Sequence, residues 1–228
     1  MKTFTHTPQT SSVLPETAPR AFGKIPVNPF STRLTRPGQI ASLNCGGHFL
    51  NPNDLIDRLQ FLGGTAVIQG PHGSGKTTLL MHLSHELASR GDLVACVRLR
   101  SSRDALVVFR SIIRSRPGTT LCLDSWEQAG FMLRKIIWLA VTVRRCGLLV
   151  TCHRPTTMPV LMQCQTSPLL LKRIVEQLPN HEQRRSSLIH EADIQDAFLK
   201  CGGNIRESLY DLYDRFEQRV RLHPHTRT

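Results

Sequence analysis

Hydrophobic and polar residues are arranged along the chain in a pattern that predicts short strands separated by helices. Apolar, β-favouring runs occupy residues 65–69, 93–99, 119–124, 147–153 and 160–164. Between most of these runs, apolar residues recur at spacings of three and four, as in a helix with one buried face. Strands that alternate with helices indicate a mostly parallel sheet covered by helices on both sides. The sequence therefore predicts an α/β fold.

The two ends of the chain differ from the centre. Residues 1–27 are rich in Thr, Ser and Pro, with few apolar anchors, which predicts a disordered leader. Residues 28–62 begin as a proline-punctuated arm and continue as an amphipathic helix. The strands and helices of residues 63–178 form the predicted core. Residues 179–222 are expected to form a small helical unit, followed by a tail at 223–228.

Length and net charge limit the possible classes of protein. The 228 residues suffice for one α/β domain, and the formal net charge is +12. Most of the excess lies in residues 63–153, where six arginines accompany a single acid between positions 98 and 116. Such a basic patch can bind nucleic acid or another polyanion, or it can be a solvated edge. The six residues are Arg98, Arg100, Arg103, Arg110, Arg114 and Arg116.

The cysteines and the longest apolar run predict a protein of a reducing, aqueous compartment. Seven cysteines are an odd number, and no C-x-x-C occurs, which is typical of reduced, buried thiols rather than of disulfides or zinc ligands. The longest apolar run, residues 136–143, is too short to span a bilayer. No charged n-region followed by an apolar h-region opens the sequence. We therefore expect a soluble, cytoplasmic protein.

A glycine-rich segment after the first predicted strand carries the strongest chemical signal. Residues 70–77 fit G-x-x-x-x-G-K-[ST], the phosphate-binding loop, with a strand before them and a helix after them. The glycines let backbone N–H groups point at phosphates, and the helix adds its positive N-terminus. Lys76 is expected to contact the β- and γ-phosphates, and Thr77 to bind Mg²⁺. The expected nucleotide contacts are Gly70, Pro71, His72, Gly73, Ser74, Gly75, Lys76, Thr77 and Thr78.

A carboxylate at the end of a second buried strand completes the predicted magnesium site. The nearly continuous apolar run 119–124 ends in Asp124, which fits a Walker B aspartate that holds Mg²⁺ through its water shell. Ser125 stands where such motifs usually carry a second acid. Glu127 is the nearest carboxylate that can polarise an attacking water, and a charge at a helix N-terminus is its alternative role.

Three further residues are candidates to contact the γ-phosphate. If the strand 147–153 lies between the strands that carry the glycine loop and Asp124, its polar end emerges beside that phosphate. Thr151 and His153 are the candidates there, although each can also be an ordinary strand-end residue. Arg206 follows Gly202-Gly203-Asn204 at a predicted helix start, where a cation opposes the helix dipole and so suggests a partner such as phosphate, with a solvated surface position as the alternative.

These motifs together resemble the AAA+ and STAND-type P-loop ATPases, over roughly residues 40–220, and bacterial P-loop proteins with the same Gly-Pro-His-Gly-Ser-Gly-Lys loop. The resemblance implies the strand order 5-1-4-3-2 and a small C-terminal helical lid over the nucleotide. It also implies ATP and Mg²⁺ as ligands. By the same likeness residues 70–77 are Walker A, Asp124 is Walker B, Thr151 or His153 is sensor 1, and Arg206 is sensor 2.

Departures from that pattern shape the functional expectation. Ser125 replaces the usual acid. No helix separates the last two strands to present an arginine finger. The candidate substitutes for that finger are Arg144, Arg145 and Arg154. We therefore expect a slow or partner-stimulated ATPase that acts as a nucleotide-dependent switch. A DNA-binding, loader-like ATPase and a small-molecule kinase are the alternatives. An ABC-type ATPase is disfavoured because no L-S-G-G-Q stretch occurs.

Overall fold

The computed structural model describes residues 28–100, 104–179 and 188–222. Several sequence predictions therefore lie outside the described residues. They are the leader at 1–27, the place of Arg103 in the basic patch, the segment 180–187 of the helical unit and the tail at 223–228.

Five short strands form the sheet, and helices precede, separate and follow them. The strands are β1 (Thr65–Gln69), β2 (Val94–Arg98), β3 (Thr120–Asp124), β4 (Gly147–Cys152) and β5 (Val160–Gln163). The helices are α1 (Thr32–Thr35), α2 (Pro52–Phe61), α3 (Lys76–Ser89), α4 (Ala105–Arg114), α5 (Phe131–Val143), α6 (Pro168–Gln177), α7 (Glu191–Lys200) and α8 (Ile205–Leu222). A 3₁₀ turn at Trp126–Gln128 lies between β3 and α5.

The strands pair in the order β2-β3-β4-β1-β5, and every pairing is parallel. This arrangement confirms the predicted order 5-1-4-3-2. Because parallel strands end at the same edge, the segments after β1, β3 and β4 emerge side by side. The register places Gln69 beside Cys152 and Arg98 beside Asp124. The glycine-rich loop and Asp124 therefore reach the same edge of the sheet.

Helices cover both faces of the sheet, as its apolar strands require. Ala66 and Ile68 belong to a buried cluster with residues of α2 and α3. Val67, between them, belongs to a second cluster with residues of α4 and α5. This alternation follows the two-residue period of a strand and gives the sheet a separate core on each face. No helix in the described ranges has the length and apolar character needed to cross a bilayer.

A third buried cluster joins the start of the described chain to its C-terminal helices. Phe30 is 2% exposed and packs among residues of α6, α7 and α8. Its ring lies edge-on to Phe216, with the centroids 6.3 Å apart. Asn28 Nδ2 donates hydrogen bonds to the Tyr213 carbonyl and to Glu217 Oε1, at 3.1 and 2.9 Å. The proline-punctuated arm is thus anchored against the C-terminal helices.

Apolar residues at helical spacing predict a helix over residues 128–145, and the structure shows a shorter one. This helix begins only at Phe131, because Ser125 adopts a left-handed conformation and a 3₁₀ turn and Gly130 intervene. The same spacing predicts a helix over 102–114, of which residues 102 and 103 lie outside the described residues and the part from Ala105 is helical. All seven cysteines are free, and Cys45 and Cys96 are exposed rather than buried.

Candidate nucleotide-binding site

The loop between β1 and α3 needs glycine at several positions. A Cβ on Gly70 would overlap the Cys164 carbonyl oxygen, and one on Gly73 would overlap the Asn204 side chain. Gly75 has a φ of 86°, in the left-handed region, and α3 begins directly after it. Ser74 Oγ donates a 2.9 Å hydrogen bond to the Pro71 carbonyl and closes the turn. Local conformation and close packing therefore set the shape of the loop.

Lys76 is the first residue of α3 and is buried, with 5% of its surface exposed. Its Nζ donates hydrogen bonds to the Pro71 carbonyl at 2.5 Å and to His153 Nδ1 at 3.0 Å. Burial lowers the pKa of Lys76, and the charge of Arg206 lowers it further, whereas Glu127 and Asp124 oppose the shift. The ammonium group is therefore held at the mouth of the loop by two acceptors.

Two hydroxyl groups converge on the buried carboxylate of Asp124. Thr77 Oγ1, from α3, donates to Oδ1 at 3.1 Å and lies 3.3 Å from Oδ2. Thr151 Oγ1, from β4, donates to Oδ1 at 2.7 Å and accepts the Ser125 N–H at 2.9 Å. Oxygen ligands of this kind suit Mg²⁺, so the donor set fits the ion that the sequence predicts.

His153 links Lys76 to Glu127. Because its Nδ1 accepts from Lys76 Nζ, the ring proton belongs on Nε2, which donates to Glu127 Oε1 at 3.2 Å. The His72 ring stacks on it, with the centroids 3.6 Å apart and the planes at 26°. Burial lowers the pKa of His153 and the charge of Lys76 acts in the same direction, whereas the charge of Glu127 opposes the shift. We therefore describe His153 as a neutral imidazole at neutral pH.

Glu127 lies in the 3₁₀ turn that follows β3. Its Oε2 is buried and has no hydrogen-bond partner in the part of the chain that the structure describes. Arg134 holds the turn from α5, with Nη2 donating to the Glu127 carbonyl at 3.1 Å and Nε to the Ala129 carbonyl at 2.6 Å. A buried carboxylate oxygen without a partner is costly unless something binds it, and a water molecule is the simplest ligand.

Two arginines lie in the same region. Arg98 Nε is 3.4 Å from Asp124 Oδ2, a contact that follows from the register of β2 on β3. The charge pattern alone places Arg98 in the basic patch, whereas its position at the end of a strand next to β3 brings it to Asp124. Arg206, in the first turn of α8, lines the cleft beside the loop and acts on the pKa of Lys76.

These groups line a cleft of about 490 Å³. Its polar end is formed by the glycine-rich loop and the ends of β3 and β4. Its other end is lined by apolar residues of the N-terminal arm and the C-terminal helices, which sequence reasoning had not assigned to the site. They include Ile40, Leu43, Ile174, Leu209 and Tyr210. The cleft thus combines polar and apolar linings.

The remaining predicted arginines lie elsewhere. Among the described residues that line the cleft, none is Arg144, Arg145 or Arg154. Arg144 Nη2 instead donates to the carbonyls of Ile113 and Ser115, at 2.9 and 2.6 Å, and so caps the end of α4. The members of the basic patch that are exposed and away from the cleft are Arg100, Arg110, Arg114 and Arg116.

No protein-family model matches the chain, and no curated protein sequence matches it significantly. Solved structures do match. The chain is similar to a point variant of RuvB from Thermotoga maritima, with a TM-score of 0.52, 16% identity, and coverage of 76% of this chain and 61% of that chain. A second point variant of the same RuvB matches with a TM-score of 0.51, 16% identity, and coverage of 77% and 66%. The chain thus spans less than two thirds of these RuvB chains. The strand order and this structural likeness show that the chain has the AAA+ ATPase fold.

Proposed function

We propose that this chain is a Mg²⁺-dependent ATP-binding protein that acts as a nucleotide-dependent switch and hydrolyses ATP slowly or on stimulation by a partner. The observation that carries the proposal is the convergence of Lys76, Thr77, Asp124 and Thr151 at one edge of the sheet. The AAA+ ATPase fold supports nucleotide binding in general. The particular residues and the biological role are our assignment.

Each end of the cleft suits one part of a nucleotide. The backbone N–H groups of residues 72–77, together with the start of α3, would bind phosphates. Lys76 would exchange its Pro71 and His153 acceptors for phosphate oxygens. Thr77 and Asp124 would hold Mg²⁺, which neutralises phosphate charge when it is bound. The apolar end, with Leu43 and Tyr210, offers a surface for a planar base.

Glu127 is the proposed base for hydrolysis. Its Oε2, which has no hydrogen-bond partner among the described residues, would accept a proton from a water molecule, while the His153 N–H holds Oε1 in place. Two contacts favour slow turnover. Arg98 competes with a cation for Asp124 Oδ2, and Lys76 must leave His153 before it can bind a phosphate. A partner that shifts either contact would raise the rate.

The switch would act through the C-terminal helices, our proposed lid. Asn204 lies directly before α8 and is packed so closely on Gly73 that no Cβ fits between them. Arg206 lies in the first turn of the same helix and lines the phosphate end of the cleft. A phosphate bound by the loop would therefore act on the start of α8. A change in that local contact would shift the C-terminal helices.

The test separates binding from hydrolysis. We expect Lys76→Ala to weaken Mg²⁺-ATP binding by about tenfold or more, because it removes a buried cation from the phosphate site. Glu127→Gln should keep binding and lower phosphate release by about 100-fold, because it removes only the base. Lys135→Ala, which changes an exposed lysine on α5 away from the cleft, is the matched control.

Calorimetry and steady-state phosphate release are measured with and without single-stranded and duplex DNA. Unchanged ATP affinity in Lys76→Ala contradicts the proposal. Turnover that requires DNA, and that Lys76→Ala abolishes, would instead favour the DNA-binding, loader-like ATPase.

A further inference from the structure

One side of α5 is apolar, and none of the residues that the structure describes covers it. Met132, Ile136, Leu139 and Val143 follow one another at spacings of four, three and four and share one side of the helix. All four are exposed, Leu139 by 60% and Val143 by 72%. The opposite side of the helix packs into the core of the sheet. A helix of a globular domain normally carries polar residues on its outer side, so this pattern marks an interaction surface.

Helix α4 lies beside α5 and carries exposed apolar residues of its own. The two helices contact each other, and Arg144 Nη2 is 2.9 Å from the Ile113 carbonyl, which brings their C-terminal ends together. Leu106 and Ile113 are exposed on α4 by 75% and 66%. We call six of the exposed apolar residues of the two helices the α4/α5 face. They are Leu106, Ile113, Met132, Ile136, Leu139 and Val143.

The charges on these two helices have one sign. Arg110 and Arg114 are exposed on α4 beside Ile113, and Lys135 is exposed on α5. Neither Ala105–Arg114 nor Phe131–Val143 contains an aspartate or a glutamate. The α4/α5 face is therefore an apolar surface with a cationic border. A suitable partner combines an apolar stripe with carboxylates.

We propose that the α4/α5 face docks an amphipathic helix of another protein whose apolar stripe is flanked by acidic residues. Two helices packed side by side form a groove into which a third helix fits, with its apolar side chains down and its carboxylates on Arg110 and Arg114. A second copy of the same face would set cation against cation. DNA would pair with the arginines and leave Leu139 and Val143 uncovered.

Synthetic peptides test the chemistry of the partner. The probes are a helical peptide with leucines on one side and glutamates on both flanks, the same peptide with every glutamate replaced by lysine, and a scrambled acidic peptide. Fluorescence anisotropy with the full chain should show the acidic amphipathic peptide binding at least about tenfold more tightly than the other two. Lys76→Ala should bind it equally well, because docking does not involve the nucleotide site.

Substitutions on the protein locate the binding site. Leu139→Gln should weaken peptide binding by about tenfold, whereas Phe61→Gln should leave it unchanged. Phe61 is the matched control because it is 90% exposed on α2, which covers the opposite side of the sheet. The double variant Arg110→Glu and Arg114→Glu should reverse the preference and bind the lysine peptide more tightly. Circular dichroism checks that each variant is folded.

Four outcomes would overturn the proposal. The first is equal affinity for all three peptides, or binding that Leu139→Gln does not change. The second is sedimentation with phosphatidylglycerol vesicles that depends on Leu139 and occurs without peptide binding. The third is binding of duplex DNA that Arg110→Glu weakens, again without peptide binding. The fourth is self-association that Leu139→Gln abolishes, which would assign the face to a second copy.

Discussion

Thr151 Oγ1 donates a 2.7 Å hydrogen bond to Oδ1 of Asp124, across the neighbouring strands β4 and β3. The same oxygen accepts the Ser125 N–H at 2.9 Å, where the chain turns into the left-handed conformation. One buried hydroxyl therefore orients the candidate magnesium ligand and supports the turn that leads to Glu127. Groups that hydrogen-bond to a metal ligand in this way commonly affect the affinity of the metal site.

Replacing that hydroxyl should weaken Mg²⁺ binding more than folding. We expect Thr151→Val, which keeps the shape and removes the hydrogen bonds, to raise the Mg²⁺ concentration needed for ATP binding by about 10- to 100-fold. Unfolding should become easier by only about 1–3 kcal/mol, from the unpaired Ser125 N–H. The measurement is an Mg²⁺ titration of ATP binding.

Thr142→Val is the control for that measurement. Thr142 lies on α5, and its hydroxyl donates only to the Trp138 carbonyl of the same helix, at 2.9 Å. Its removal should leave the Mg²⁺ requirement unchanged. An unchanged requirement in Thr151→Val as well would show that the hydroxyl does not act on the site.

The close approach of Gly73 and Asn204 gives a second prediction. In Gly73→Ala the new methyl group overlaps the Asn204 side chain and a φ of 71° is strained for alanine, so the free energy of unfolding should fall by about 2–3 kcal/mol. Adding Asn204→Gly removes the overlap and should recover roughly half of that loss. Urea denaturation of the single and double variants measures both the loss and the recovery of the free energy of unfolding.

Gly91→Ala is the matched control, because it introduces a similar backbone strain without a steric overlap. Gly91 has a φ of 89°, and no atom lies within 4 Å of the position of its Cβ. We expect it to cost only about 1 kcal/mol. If Gly73→Ala costs no more than Gly91→Ala, the loop and α8 are not in firm contact, and the proposed coupling of the loop to the lid loses its support.

The third prediction concerns Asp193 of α7, which is buried between two arginines of α8. Arg219 Nη1 and Nη2 bind its two oxygens at 2.6 and 2.7 Å, and Arg215 Nη1 lies 3.3 Å from Oδ1. Asp193→Asn should lower the free energy of unfolding by about 2–3 kcal/mol, because charge-assisted hydrogen bonds are lost. Asp196→Asn, at a mostly exposed carboxylate 3.9 Å from Arg215, should cost about 0.5 kcal/mol or less.

The same carboxylate predicts an acid dependence. The hydrogen bond from Arg219 holds the pKa of Asp193 well below its usual range, despite the opposing effect of burial. A folded-state pKa below the unfolded value of about 3.9 stabilises the fold above that pH, and this stabilisation is lost as the pH falls through the folded value. Between about pH 5 and pH 2, wild type should therefore lose more stability than Asp193→Asn. If the free energy of unfolding of wild type and of Asp193→Asn falls equally over this pH range, the assignment is contradicted.

Local features were accessible to sequence reasoning because contiguous residues encode them. The glycine spacing of residues 70–77 places the loop without reference to the rest of the fold. Asn51 is another example, since its side chain accepts the Asn53 N–H at 3.1 Å and caps α2, a position at which asparagine is preferred. Buried parallel strands also leave a nearly continuous apolar run, which located β3 and its terminal Asp124.

The pattern of apolar runs thus determined by itself that the chain is an α/β protein, the glycine spacing located the loop after the first strand, and the family resemblance added the strand order. Only the tertiary structure decided which distant side chains meet. Arg98 reaches Asp124 through strand register, His153 reaches Glu127 across the edge of the sheet, and Phe30 enters the core of the C-terminal helices. These contacts join residues that the folded backbone brings together, whereas spacing along the chain reports only on neighbours within one helix, strand or turn.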